Sequence, residues 1–126
     1  MTQEEMTLLV DLRSRLFCGL ICSIYREDDD IFGWRNEKLT GFFSTEYSYE
    51  FYFGETPLCV DSVLNIKPYL RPMSSMTEEE SLEWFESVVP TMDCDKQLDF
   101  YCKYHFDFRG LIPIGLALEA PEGMYK

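Results

Sequence analysis

Asn65-Ile66-Lys67-Pro68-Tyr69-Leu70-Arg71-Pro72-Met73-Ser74-Ser75-Met76-Thr77-Glu78-Glu79-Glu80 divides the chain: before it the residues read as one helix followed by strands, after it as helices. Pro68 and Pro72 exclude a helix across 67–72. Ile66, Tyr69 and Leu70 give the segment apolar anchors, so it is expected to be extended and packed. Thr77 then opens a helix. Its hydroxyl can cap a backbone N–H, Glu80 stands at the return position of a capping box, and Glu78, Glu79 and Glu80 sit at the positive end of the helix dipole.

Upstream, Thr2 and Glu5 form a second capping box. Met6, Leu9, Val10, Arg13, Leu16 and Phe17 follow helical spacing, which predicts a helix over about 3–16 with that face inward. Gly19 ends it. Leu20, Cys22 and Ile24 share one face of a first strand, 27–30 reads as a solvated turn, and a second strand is expected over 38–45 with Leu39, Gly41 and Phe43 alternating against Thr40 and Phe42. Tyr47, Tyr49, Phe51 and Phe53 place one face of a third strand in the core. A short strand at 58–60, a helical turn at 61–64 begun by an Asp61 cap, and an edge strand at 66–70 follow. The expected class is α+β: an N-terminal helix (1–18), a small antiparallel SH3-like or Sm-like barrel of four to five strands (19–72), and a helical cap with a packed tail (73–126), all in one domain.

Downstream, Leu82, Phe85 and Val89, widened by Trp84 and Val88, mark the core stripe of a helix over 78–88 that Pro90 stops. Asp93 to Asp95 can cap a further helix over 96–104, on which Leu98, Tyr101, Cys102 and His105 share a face. The tail from 107 to 121 is too apolar for a loose terminus and should fold back onto the body.

Charge and cysteine content bound the function. The chain has 126 residues, 46% of them hydrophobic, and carries 23 Asp and Glu against 11 Lys and Arg, a net charge of −12. That balance repels phosphate backbones and anionic membranes, so direct nucleic-acid binding is not expected. The first residues are acidic where a secretory signal needs cations, and no apolar run approaches a membrane span; a cytoplasmic protein is expected. The cysteines at 18, 22, 59, 94 and 102 fit unbridged thiols in a reducing compartment. They lack the paired spacing of a zinc site, and the Glu27–Asp30 cluster lacks the ligand pattern of a calcium loop; no metal or cofactor is implied.

The stretches Ile66-Lys67-Pro68-Tyr69-Leu70-Arg71-Pro72-Met73-Ser74-Ser75-Met76-Thr77-Glu78-Glu79-Glu80 and His105-Phe106-Asp107-Phe108-Arg109-Gly110-Leu111-Ile112, the latter running on through Gly115-Leu116-Ala117-Leu118-Glu119-Ala120-Pro121-Glu122-Gly123-Met124-Tyr125, resemble the middle and end of a large family of small uncharacterised proteins of gut anaerobic bacteria, their prophages and mobile elements. The resemblance implies a bacterial or phage source and carries over no catalytic residue. Members of that family commonly have two adjacent histidines where this chain has Tyr104-His105.

Three functions follow as expectations. The first is a non-enzymatic module that binds another protein, encoded by a prophage or mobile element as the resemblance implies. The second is an acidic mimic of nucleic acid that blocks a host DNA- or RNA-binding protein through Asp28, Asp29, Asp30, Glu78, Glu79 and Glu80, which requires those carboxylates on one surface. The third is an enzyme using His105 with Asp107 or Arg109, which requires the three to converge in a cleft. The sequence supplies no nucleophile, paired carboxylate or oxyanion donor for it.

Overall fold

The computed structural model describes residues 2–28, 31–44, 49–54, 56–60 and 63–125. Helix α1 (Gln3–Ser14) begins at the expected capping box, with Thr2 accepting from the Glu5 N–H. Strands β1 (Ile21–Asp28), β2 (Ile31–Ser44), β3 (Tyr49–Phe53) and β4 (Thr56–Val60) form an antiparallel meander, and β5 (Ile66–Leu70) follows a 3-10 turn at Val63–Asn65. A second 3-10 turn at Met73–Ser75, helices α2 (Glu78–Ser87) and α3 (Cys94–Lys103), and the short β6 (Leu118–Glu119) complete the chain. The α+β class is as read from the sequence.

The sheet order is β4-β3-β2-β1-β5-β6. The described pairings make an open sheet, with β4 and β6 at its two ends, where a small closed barrel of four to five strands was expected. Strand β5 is also not an edge: it pairs antiparallel with β1 and parallel with β6. The parallel pairing involves only Tyr69 and Leu70, so Pro68 lies outside it and its missing N–H breaks no bond there.

Strand β2 starts at Ile31, seven residues earlier than expected, because its first half pairs with β1 from Asp28↔Ile31 to Ile21↔Lys38. Its alternation then changes hand. The register with β3 shifts between Leu39 and Gly41, and the Thr40 hydroxyl donates to the carbonyls of Tyr52 and Gly54 at 3.0 Å. One extra residue turns every later side chain over. Phe42 therefore packs on the core, 4.8 Å from Phe51, while Phe43, expected inside, is exposed.

Two apolar clusters result. The larger joins α1 (Leu8, Leu9, Leu12) to the inner face of the sheet (Cys22, Ile24, Phe51, Ile66, Leu70) and to Leu111, Leu116 and Ala117 of the tail. The smaller is aromatic and joins Val88, Phe100 and Phe106, with Trp84, Tyr101 and Tyr104 against them. The tail is part of the fold, as expected, although Ile114 stays outside.

Both long helices turn a different face inward from the one expected. Helix α1 buries Leu8, Leu9, Asp11 and Leu12 and leaves Met6 and Val10 exposed, as is Phe17 in the turn that follows. Helix α2 buries Glu80 and turns Trp84 inward, with Val88 just past its end, as expected, but leaves Leu82 and Phe85, and Val89 in the turn that follows, exposed. In α3 the buried residue is Phe100, while Leu98 is exposed and His105 lies beyond the helix end.

Cysteine pairing also departs from expectation. Cys18, just after α1, is joined to Cys102 of α3 by a disulfide, with their Cα atoms 5.9 Å apart. Cys22 is a buried thiol whose pKa is raised by burial, and Cys94 is an exposed one. The side chain of Cys59 lies outside the described residues. The sequence separates Cys18 from its partner by 84 residues, and no local spacing announces the pair. A reducing compartment, inferred from unpaired thiols, loses that support.

Candidate functional site

The stretches 66–80 and 105–112 meet in space. Helix α3 ends in a paired-bond cap: the Phe106 N–H donates to the Tyr101 carbonyl at 2.9 Å and the His105 N–H to Cys102 at 3.2 Å. This closure needs a left-handed residue, a place glycine usually takes, and here His105 takes it with φ 60°. The segment is then pinned to the end of β5. The Arg71 N–H donates to the His105 carbonyl at 2.7 Å, and the Asp107 N–H to the Arg71 carbonyl at 2.8 Å.

Each candidate catalytic side chain from this segment has a separate structural partner. His105 is 6% exposed and stacks flat on Tyr125. Burial, and then the cations of Arg15 and Arg71, lower its pKa to about 4. The Asp107 carboxylate accepts the backbone N–H groups of Leu111 and Ile112 at 2.8 and 2.9 Å. Arg109 reaches Asp11, which also holds Arg15 at 3.0 Å. Arg15 further donates to the Phe106 carbonyl at 2.7 Å, and the Phe108 ring lies under both guanidinium groups. The cleft that a His105 enzyme requires is not assembled from these three side chains.

The acidic candidates divide as well. Glu80 makes a two-pronged pair with Arg71 at 2.6 and 2.8 Å and accepts the Thr77 N–H in the expected capping box, so its pKa falls to about 2. Glu78 and Glu79 are exposed. Asp29, Asp30 and the side chain of Asp28 lie outside the described residues.

Between the start of α2 and residues 119–125 lies an open cavity of about 850 Å³. Its walls include Glu79, Glu119 and Glu122, which make no ion pair among the described residues, together with the paired Arg71 and Glu80. Tyr125 lines it as well. The Tyr125 hydroxyl donates to the Tyr69 carbonyl at 2.7 Å and accepts the Ile21 N–H at 3.0 Å, which fixes the last residues to β1 and β5.

The outward face of α2 is the second surface feature. Leu82, Phe85 and Val89 are 60%, 64% and 37% exposed, and Met92, in the turn that follows, is 65% exposed. Helix α2 holds Glu78, Glu79, Glu80, Glu83 and Glu86 and no lysine or arginine. Glu83 pairs with Lys103 of α3. Asp11, Arg15 and Tyr125, which fix the junction, were not singled out in the sequence. Asp11 and Arg15 are four apart on the Leu8/Leu12 side of α1, which is the only local trace they leave.

Searches of protein-family models, of curated proteins and of solved structures give no match to this chain. The described residues hold no cluster of three or more His, Cys, Asp or Glu able to bind a metal, and no helix among them is long and apolar enough to cross a membrane.

Proposed function

We propose that this protein is a non-enzymatic protein-interaction module whose docking surface is the outward face of α2. The observation that carries the reading is the exposure of Leu82 and Phe85 on α2, with Val89 and Met92 exposed in the turn that follows. An isolated exposed leucine has no meaning, but two large apolar groups on a helix whose opposite side is already packed, followed by two more in the adjoining turn, mark a binding surface. The chemistry at His105 supports the same choice. Its ring is buried and neutral at physiological pH, and Asp107 and Arg109 are committed elsewhere. The acidic-mimic reading is weakened because Glu80 is neutralised by Arg71, leaving only Glu78 and Glu79 of its helical trio on the surface. A prophage or mobile-element origin, as the family resemblance implies, fits a partner in the bacterial host.

The test is affinity capture from the cells that express the protein, comparing wild type with Leu82→Asp/Phe85→Asp and with Met6→Asp/Val10→Asp on α1. All four positions are exposed, so the variants should keep their thermal stability. Loss of a specific partner only in the α2 variant supports the module. A partner retained by the α2 variant refutes the assignment of the face.

A further inference from the structure

Leu82 and Phe85 lie about 60° apart around α2, at about 100° per residue, and Val89 is exposed in the turn just past its end. Glu79 and Glu86 follow along one side of this line, and Glu78 sits at its N-terminal end. None of these three carboxylates has an ion pair among the described residues. On the side of Glu79 the acidic border continues across the cavity wall to Glu119 and Glu122. The surface is thus an apolar ridge with a negative margin that is unbroken on the side of Glu79, while Lys96 and Lys103 of α3 line the depression that Glu86 borders.

We propose that this face takes the apolar side of a cationic amphipathic helix belonging to another protein, its lysines or arginines set against Glu79 and Glu86. The proposal rests on the docking function given above and names the occupant of that surface. Charge complementarity decides it. A second copy of this chain placed face to face would bring the unpaired Glu78, Glu79 and Glu86 of two α2 helices together, with no lysine or arginine on either α2. An anionic or nucleic-acid partner would meet the same repulsion. Spacing supports the helical form: apolar anchors at i and i+3 on α2, extended by Val89 just past its end, match the ridges of a partner helix.

The probe is a synthetic peptide with leucines at helical spacing and flanking lysines, titrated by fluorescence anisotropy at 0.1 M salt. An isomer with glutamates in place of the lysines serves as control. The lysine peptide should bind at least tenfold more tightly than the glutamate peptide. Phe85→Asp should weaken it tenfold or more, and Glu79→Gln/Glu86→Gln should weaken it severalfold and flatten its salt dependence. Amide shifts should map to positions 78–92. Equal binding of both peptides, each lost with Phe85→Asp, would overturn the cationic partner and leave the docking face standing. Binding indifferent to Phe85→Asp, or no binding of either peptide, would overturn both. Concentration-dependent dimerisation abolished by Phe85→Asp would make the occupant a second copy and overturn the proposal.

Discussion

The rings of His105 and Tyr125 stack with centroids 3.6 Å apart and 16° between their planes. This contact joins the end of the α3 cap to the end of the tail. The Tyr125 hydroxyl sits between Ile21 and Tyr69, one step beyond the last paired residues Cys22 and Pro68. The ring and hydroxyl together close β1 onto β5 where the strands' own bonds stop.

Tyr125→Phe keeps the stack and removes the hydroxyl's hydrogen bonds to Ile21 and Tyr69. It is expected to lower stability by about 1–3 kcal/mol, the usual cost of leaving partly buried backbone groups unpaired. Denaturant unfolding measures it; an unchanged midpoint would mean that the hydroxyl has no structural part. Cutting the chain at Asp107 should do far worse, since it removes Leu111, Leu116 and Ala117 from the larger core. Aggregated or poorly folded protein is expected.

Asp11 is fully buried between Arg15 and Arg109. Asp11→Ala strands the buried Arg15 cation and is expected to cost about 3–5 kcal/mol. Arg109→Ala should cost less, because that side chain reaches solvent and Arg15 still neutralises Asp11. Equal effects of the two variants would contradict a buried, shared carboxylate.

Acid should weaken the fold in two separate windows. His105 has a folded pKa of about 4 against an ordinary 6.5, so the unfolded chain binds its proton first. Stability then declines as pH falls from 6.5 to 4, by up to about 3 kcal/mol. Glu80 is depressed from 4.5 to about 2, so its contribution is intact above 4.5 and is lost as pH falls towards 2. His105→Asn, which tolerates the left-handed backbone, should flatten only the upper window. Glu80→Gln should flatten only the lower one. Denaturant midpoints across pH 2–7 decide; a flat wild-type profile between 6.5 and 4 would contradict a buried neutral histidine.

The Cys18–Cys102 bridge closes a long loop and ties α1 to α3. Thiol titration in denaturant should find two fewer thiols before reduction than after it. Reduction or Cys102→Ser should lower stability by about 2–4 kcal/mol. Identical thiol counts would remove the bridge.

The elements themselves were readable because their signals are local: the Thr2 and Thr77 capping boxes, Gly19 after α1, and the prolines at 68, 72 and 90. The faces were not. Asp11 and Arg15 in α1 and Glu80 in α2 are charged residues that point inward, since their partners arrive from 91 or more residues away for Arg15 and from Arg71 for Glu80. A pattern rule that sends charge outward therefore rotates both helices. The same error hid the candidate docking surface, because Leu82, Phe85 and Val89 read as core. The Thr40–Gly41 bulge flipped Phe42 and Phe43 by a similar route: a single extra residue, invisible to alternation, reverses it. Barrel closure fails for a topological reason, since β6 comes from the distant tail and occupies the free side of β5.

The docking claim itself is most directly tested by placing a photo-reactive phenylalanine analogue at position 85, and in a separate sample at position 10, and irradiating cells that express the protein. Discrete adducts to a partner protein are expected at 85, through a basic helical segment, and should vanish with Leu82→Asp. Adducts at 10 alone, or adducts at 85 that survive Leu82→Asp, would contradict the outward face of α2 as the binding surface.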